Sequence, residues 1–292
     1  MSENVITSYK GFDKNMQCHE FQYEVGKEYE MDGEIKCCKQ GFHACKSPME
    51  VWDFYDMLSS RYAEVEQSGK IDKEENSTKV CSSRIKIKAE LKLADIINIG
   101  VEWLKDITSP SKVKTDGALN DNGDRKKQIG SSGYSAQIGS SGYSAKIGSS
   151  GDYAKIGSSG YYAKIGSSGY SAKIGSSGDY AKIGSSGYSA KIGSSGYSAQ
   201  IGSSGYYAKI GSSGDYAKID STGEDSVIMC AGNSSIVKAK IGSWITLAEW
   251  KWSDEKKHDV PVCVKTEYVD GENIKADTWY QLKNGKFVEV TE

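Results

Sequence analysis

Long apolar runs are missing from this 292-residue chain. None approaches the roughly 20 consecutive apolar residues that a membrane helix needs. The opening residues Met-Ser-Glu-Asn-Val-Ile-Thr-Ser-Tyr-Lys hold no basic segment and no apolar one, so they do not read as a secretory signal. Proline and histidine are scarce, at three residues each. The seven cysteines form an odd, irregularly spaced set, six of them outside residues 129–247. That excludes a disulfide framework and suits reduced thiols in a cytosol; if the carrier is a phage, this is the cytosol of its host cell.

Signatures of chemistry are missing too. Cys18, His19, Cys37, Cys38, His43 and Cys45 fall within 28 residues. They contain no Cys-x-x-Cys pair, and Cys37 and Cys38 would point to opposite faces of a strand. Buried thiols acting as small hydrophobes are expected there, and no metal. Neither a phosphate-binding Walker loop nor a dinucleotide fingerprint is present. The recurring Gly-Ser-Ser-Gly has ten equivalent copies and no histidine nearby, so it is turn chemistry and not a nucleophile elbow. The residues therefore point to no catalytic group and no cofactor.

What the chain does have is glycine, 33 residues, together with 19 tyrosines. A disordered linker would explain the glycine and serine but not the tyrosine. The excess lies in residues 130–219, ten consecutive nine-residue units reading Gly-Ser-Ser-Gly-x-x-Ala-(Lys/Gln)-Ile. Such self-similarity marks a repeat architecture. The stretch x-x-Ala-Lys-Ile alternates, which puts Ala and Ile on one face and Lys on the other. Nine residues cannot circle a core, but two units can form a flattened coil. Ile and Ala then fill a thin interior, while Ser and Lys form outer ladders. Three units per coil would leave an interior that Ala fills poorly. Ten units make five coils, a rod of about 24 Å at about 4.8 Å per coil. Residues 220–247 read as a degenerate continuation.

The window 130–219 carries eight lysines against three aspartates, a net of +5, which leaves −7 for the rest of a chain whose total is −2. The x-x pair is Tyr-Ser, Asp-Tyr or Tyr-Tyr. Lys155, Lys164, Lys173, Lys182, Lys191 and Lys209, with Tyr153, Tyr162, Tyr180 and Tyr207, form the candidate binding set. Ammonium groups and aromatic rings together suit an acidic protein surface or an anionic small molecule. The plainer alternative is that Lys keeps the rod soluble and Tyr covers glycine backbone. Acidic flanks would repel duplex nucleic acid over a Debye length of about 8 Å. Calcium-binding nonapeptides require an aspartate pattern that these units lack.

Residues 1–107 read as an α+β domain. Its strands are expected at Val5–Tyr9, Phe21–Tyr29, Tyr62–Glu66 and Arg84–Leu91. A helix is expected after Ser47 as N-cap, with Pro48 in its first turn, Glu50 closing a capping box, and Val51, Phe54, Tyr55 and Leu58 as its apolar stripe. A second helix, about Ala94–Lys105, turns Ile96, Ile97, Val101 and Leu104 inward. Residues 108–128 read as a linker, 129–247 as the solenoid and 248–292 as a β cap. Two hairpin turns, Asp270-Gly271 and Asn284-Gly285, separate the cap strands Val262–Tyr268, Lys275–Leu282 and Phe287–Val290, and Trp244, Trp250, Trp252 and Trp279 close the rod's end. The expected class is mainly β: a parallel β-solenoid with an amino-terminal α+β domain and a carboxy-terminal β cap.

Tyr9-Lys10-Gly11-Phe12, then Gly41-Phe42-His43-Ala44-Cys45, then Tyr62-Ala63-Glu64-Val65-Glu66, followed by Ile-Gly-Ser-Ser-Gly repeats, resembles an uncharacterised family of bacterial and bacteriophage proteins. The same order is similar to the first half of an ADP-ribosyltransferase fold. That second resemblance implies an acidic residue on a later strand. Arg84–Glu90 offers only Glu90, and Glu64 and Glu66 come too early. The resemblance to phage proteins implies a non-enzymatic interaction protein that interferes with a host system, such as host defence, with homo-oligomerisation open. The rivals are an ADP-ribosyltransferase-like enzyme with a solenoid targeting module, with His43 and Tyr9 lining its pocket, and a phage fibre component, which would form a stable trimer. Because the late acidic residue is missing, the chain is expected to release no nicotinamide from NAD; release that His43→Ala or Glu90→Ala abolishes would establish the enzyme reading.

Overall fold

The computed structural model describes residues 5–74, 77–108, 118–120 and 128–291. The chain divides into two compact units, Met1–Trp103 and Leu104–Glu292.

The first unit contains β1 (Ile6–Phe12), β2 (Gln17–Cys18), β3 (Phe21–Gln22), β4 (Glu28–Glu30), β5 (Phe42–Cys45), β6 (Arg61–Lys73) and β7 (Lys79–Leu91). The sheet order is β4-β7-β5-β1-β6, and β6 also pairs with β7, so the sheet closes on itself. Phe12, Tyr23, Phe42, Val65, Ile85 and Ile87 fill its core. The expected single strand Phe21–Tyr29 is two short strands instead, and β6 and β7 run further than their apolar patterns suggested. The added residues do not alternate: Val80, Cys81, Ser82 and Ser83 of β7 are all buried, while β6 from Ser68 onward is exposed or half-buried, and backbone pairing joins the two.

The capped helix after Ser47 is a single 3-10 turn, Pro48–Asp53, and the Ser47 side chain makes no cap bond. Glu50 has another use. Its carboxylate accepts bonds from Ser77 Oγ (2.7 Å), Thr78 Oγ1 (2.9 Å) and Thr78 N–H (3.1 Å) in the β6–β7 connection. It cannot also reach back to the N-cap, and Phe54 is left 51% exposed. The second expected helix is present as α1 (Leu93–Thr108), with Ile96, Ile97, Val101 and Leu104 fully buried.

The second unit is a flattened parallel solenoid of about seven turns. From Gln128 to Ala239 residue i aligns with residue i+18 in successive coils, so Ile156 meets Ile174 and Lys155 meets Lys173; only the outermost stacked strands depart, with Gln137 opposite Ala118 and Val227 opposite Trp244. Two repeats per coil therefore hold. The coils form two nine-stranded sheets. Sheet I includes Gln137–Ser140, Lys155–Ser158, Lys173–Ser176, Lys191–Ser194 and Lys209–Ser212. Sheet II includes Lys146–Ser149, Lys164–Ser167, Lys182–Ser185, Gln200–Ser203 and Lys218–Ser221. The stack extends beyond the ten units at both ends, to Ala118–Asn120 and to Trp244–Ser253. The expected linker 108–128 otherwise lies almost wholly outside the described residues.

The phase of the repeat differs from expectation by two residues. The strand is Lys-Ile-Gly-Ser and the turn is Ser-Gly-x-x-Ala. Alternation along that strand sends Ile and Ser inward and Lys and Gly outward. The first serine of each unit is therefore an inner residue, contrary to the outer ladder expected for it; Ser149, Ser167 and Ser185 are fully buried. It is small enough to share the narrow interior with Ile. Its hydroxyl accepts from the glycine N–H two residues on, as at Ser149–Gly151 (3.3 Å) and Ser158–Gly160 (3.2 Å), which bends the chain into the turn. At Ser167, Ser176, Ser185 and Ser194 the buried hydroxyl has no partner among the described residues.

From the third unit onward the positive-φ residue of each turn is not glycine but the second x, as at Tyr153 (57°), Tyr162 (58°), Ser171 (56°) and Tyr180 (55°). That conformation is unfavourable for L-residues. A backbone ladder offsets it, with Tyr153 N–H donating to Tyr170 O and Ser171 N–H to Tyr188 O, both at 2.8 Å. Glycine serves close approach instead. A Cβ on Gly178 would overlap the carbonyl of Gly160, and one on Gly196 the carbonyl of Gly178.

At the carboxy terminus, Trp244–Ser253 pairs with His258–Tyr268, and Tyr280–Lys283 pairs with Lys286–Glu289 through the two-residue turn Asn284-Gly285. Both turn residues have positive φ, which matches a type I′ turn. Asp270-Gly271 is not a hairpin turn: it crosses from sheet I to sheet II. Its Asp270 carboxylate accepts the N–H groups of Glu272, Asn273 and Ile274. Of the four tryptophans expected to close the rod, only Trp279 is buried, while Trp244 and Trp252 are 49% and 61% exposed. Val269, Ile274, Tyr280 and Leu282 complete the apolar cluster there.

Ile174 lies in the interior at 3% exposure. Ile174→Asp is expected to destabilise the protein by roughly 3–5 kcal/mol, and Lys173→Ala by no more than about 0.5 kcal/mol. Ser176→Ala, which removes an unpartnered hydroxyl, should hold or raise stability. Denaturant unfolding of the three variants checks this; equal midpoints for the first two would refute the assigned faces.

Candidate binding surface

The structure distributes the ten singled-out residues over four separate strips. Lys155, Lys173, Lys191 and Lys209 are in register on sheet I. Lys164 and Lys182 are in register on sheet II. Tyr153 and Tyr207 belong to the turns along one edge of the rod, Tyr162 and Tyr180 to those along the other. The expected mixed Lys/Tyr surface therefore does not form, because the x-x pair is the turn and the lysine is in the strand. Among the described residues, the ammonium–ring contacts involve Lys10, Lys79 and Lys238, and none involves a repeat lysine.

The tyrosines stack on one another instead. Along one edge Tyr134, Tyr153, Tyr170, Tyr188 and Tyr207 follow at 5.1–6.2 Å between ring centroids. Along the other, Tyr143, Tyr161, Tyr180, Tyr197 and Tyr216 follow at 5.2–5.7 Å. These contacts add to the stability of the turns. The aspartates act there too. Asp152, Asp179 and Asp215 each accept the backbone N–H of the residue 18 positions later, at 2.7–2.8 Å. These three aspartates thus lie at the rod's edges, away from the lysine rows; Asp220, in a sheet II strand, pairs with Lys238 instead.

The two sheets carry the same sequence pattern in different surroundings. On sheet II the outer glycines 148, 166, 184 and 202 are buried, and Lys164 is only 3% exposed although alternation places it on the outer face. Lys146, Lys164, Lys182 and Lys218 all have interaction partners. For Lys164 the expectation of an exposed binding residue is therefore wrong. On sheet I, Lys155, Lys173, Lys191 and Lys209 are exposed, as are Gly157, Gly175 and Gly193. Among the described residues no carboxylate pairs with these four lysines. They wall a trough of about 820 Å³ whose floor includes Gly139, Gly157, Gly175 and Gly193, with Gln137 at its first coil. Ammonium groups one coil apart repel by about 0.9 kcal/mol per adjacent pair in water, at a spacing of about 4.8 Å. An anion laid along the row relieves that repulsion. The glycine floor was not recognisable from the sequence, where glycine reads as turn.

The first unit holds a different cluster. Lys10 is buried, with Nζ donating to the His43 carbonyl (3.0 Å) and lying 3.4 Å from Cys18 Sγ and 3.5 Å from the Tyr55 hydroxyl. Burial depresses its pKa, and burial raises that of Tyr55. His43 Nε2 accepts the Cys38 N–H at 3.0 Å, and burial lowers the imidazole pKa, with Lys79 and Lys10 adding to it. Both oxygens of Glu90 are taken by Arg61, each at 2.6 Å. Tyr9 is buried opposite Cys45. Cys37 and Cys38 lie in a turn and not a strand, and Cys38 is exposed, with Lys79 Nζ 3.0 Å from its sulfur. Of the seven thiols, all free, three are buried: Cys45, Cys81 and Cys230. Burial pushes the Cys81 thiol up to about 12. Among the described residues no three His, Cys, Asp or Glu side chains are grouped to hold a metal ion.

The contrast between the sheets predicts opposite responses to one substitution. Lys173→Gln removes like-charge repulsion and is expected to leave stability unchanged or raise it by up to about 1 kcal/mol. Lys164→Gln strips charge from a buried, partnered site and should cost about 1–3 kcal/mol. Melting curves at low salt test the pair, and equal shifts would refute the distinction.

Residues 6–99 match a family described as a domain of unknown function (DUF7666). No curated protein and no solved structure matches the chain. The amino-terminal strands of this protein are thus similar to that domain of unknown function.

Proposed function

We propose that this chain is a non-enzymatic interaction protein whose solenoid presents sheet I to an acidic protein surface or an anionic small molecule. The observation that carries the reading is the row Lys155, Lys173, Lys191 and Lys209: four exposed cations in register, free of any carboxylate among the described residues. Lysines of the opposite sheet, with the same repeat position, all have partners. Unpaired like charges in a row are an electrostatic cost to the folded chain that a bound anion removes. Our reading further places the protein in a bacterial cytosol, carried by a phage or other mobile element and acting by occupying a host component. That part rests on the resemblance of the amino-terminal motifs and repeats, and on no feature of the lysine row.

Binding through sheet I should weaken as salt rises, because exposed charges are screened. Replacing Lys155, Lys173, Lys191 and Lys209 together by Gln is expected to lower affinity for an acidic probe such as a polyglutamate peptide at least tenfold without lowering the melting temperature. Fluorescence anisotropy at two salt concentrations checks it. A partner that binds the quadruple variant as well as the parent would show that the solenoid is a spacer.

A further inference from the structure

We propose that the occupant of sheet I is an acidic α-helix of a partner protein, lying along the solenoid axis in the trough between the lysine row and the outer serine row. This rests on the reading of sheet I as an anion-binding face and adds the shape of the anion.

The first argument is periodicity. Lysines recur once per coil, at about 4.8 Å. One face of an α-helix recurs at about 5.4 Å per turn. Over the three steps from Lys155 to Lys209 the two registers diverge by about 1.8 Å, within the reach of a flexible lysine stem. An extended peptide presents the same face every 6.6–6.8 Å, roughly, and drifts by about 6 Å over the same span.

The second is width. Lys155, Lys173 and Lys191 begin sheet I strands, and the exposed Ser159, Ser177 and Ser195 follow just past the ends of the same strands, four residues on. That is about 13 Å along an extended strand, and a helix with its side chains is about 10–12 Å across.

The third is the floor. Gly175, Gly193 and Gly211 lack positive φ, and a Cβ at each would meet nothing within 4 Å; at Gly157 only one atom lies as near as 4.0 Å. Nothing in sheet I itself calls for glycine here, and glycine weakens a strand. This contrasts with Gly160, Gly178 and Gly196, where the next coil leaves no room. What an outward glycine provides is bare backbone that another element can approach closely. On sheet II the equivalent glycines are buried, so the pattern already accommodates close cover there.

The test uses the purified full chain and a labelled 14-residue helix-forming peptide with Glu at positions i, i+4, i+7 and i+11. Controls are an isomer with its glutamates spread around the helix, the same peptide with a central proline, and a single-stranded oligonucleotide of equal charge. The striped helix is expected to bind at least tenfold more tightly than any control. The triple variant Gly157→Val, Gly175→Val, Gly193→Val should lose at least tenfold with an unchanged or higher melting temperature. If it fails to fold, Gly175→Ala with Gly193→Ala takes its place and should lose at least threefold. Equal binding of the proline peptide or of the glycine variants, with Lys→Gln still damaging, would overturn the helix and leave the anion-binding face standing. Tighter binding of the oligonucleotide would also overturn the helix. Insensitivity to Lys→Gln would overturn both readings.

Discussion

Everything in the second unit depends on how closely one coil sits on the next. From Gly151 onward, the second glycine of each Gly-Ser-Ser-Gly packs its α-carbon against the carbonyl of the glycine 18 residues earlier, leaving no volume for a side chain. With that contact fixed, the backbone ladder fixes the rest. Like residues stack on like, apolar ones to advantage and charged ones at a cost. The Ile ladder, the tyrosine stacks and the lysine row are consequences of a single register.

That register makes the sheets chemically equal, yet they are not equivalent in the folded chain. Sheet II has its lysines engaged and its outer glycines buried, while sheet I keeps both open. The difference arises from surroundings and not from the repeat. One nine-residue unit thus appears in two states: buried and partnered on one face, open and charged on the other.

Much of the fold was legible in the residues. A period of nine, with apolar residues at fixed places, implied two units per coil and an Ile and Ala interior, and the helical spacing of Ile96, Ile97, Val101 and Leu104 implied the buried face of α1. The phase of strand and turn was not, because local propensity pointed the other way. Gly-Ser reads as turn, and only the thin interior makes an inward Ser acceptable. Tyr at positive φ reads as improbable until the coil-to-coil ladder is taken into account. Pro48–Asp53 fell short of a full helix because Glu50 is drawn to Ser77 and Thr78, a contact between residues 27 and 28 positions apart. The candidate set was half legible. With two units per coil, alternate lysines necessarily fall on opposite sheets, but which parity faces solvent is a tertiary fact that ten near-identical units cannot encode locally.

The alternation of units between two sheets has a consequence for how such a rod can change length. One added nine-residue unit advances the chain by half a coil. Every downstream unit then swaps sheets, and the strands Trp244–Ser253 and Tyr280–Lys283, which continue sheets I and II past the repeats, arrive on the wrong sides of the rod. Two added units restore every partner and lengthen the rod by one layer. Tandem duplication in the coding sequence is therefore tolerated in steps of 18 residues and not of nine. The number of cations on the open face grows by at most one with each step, so the rod is a ruler whose smallest graduation is a full coil.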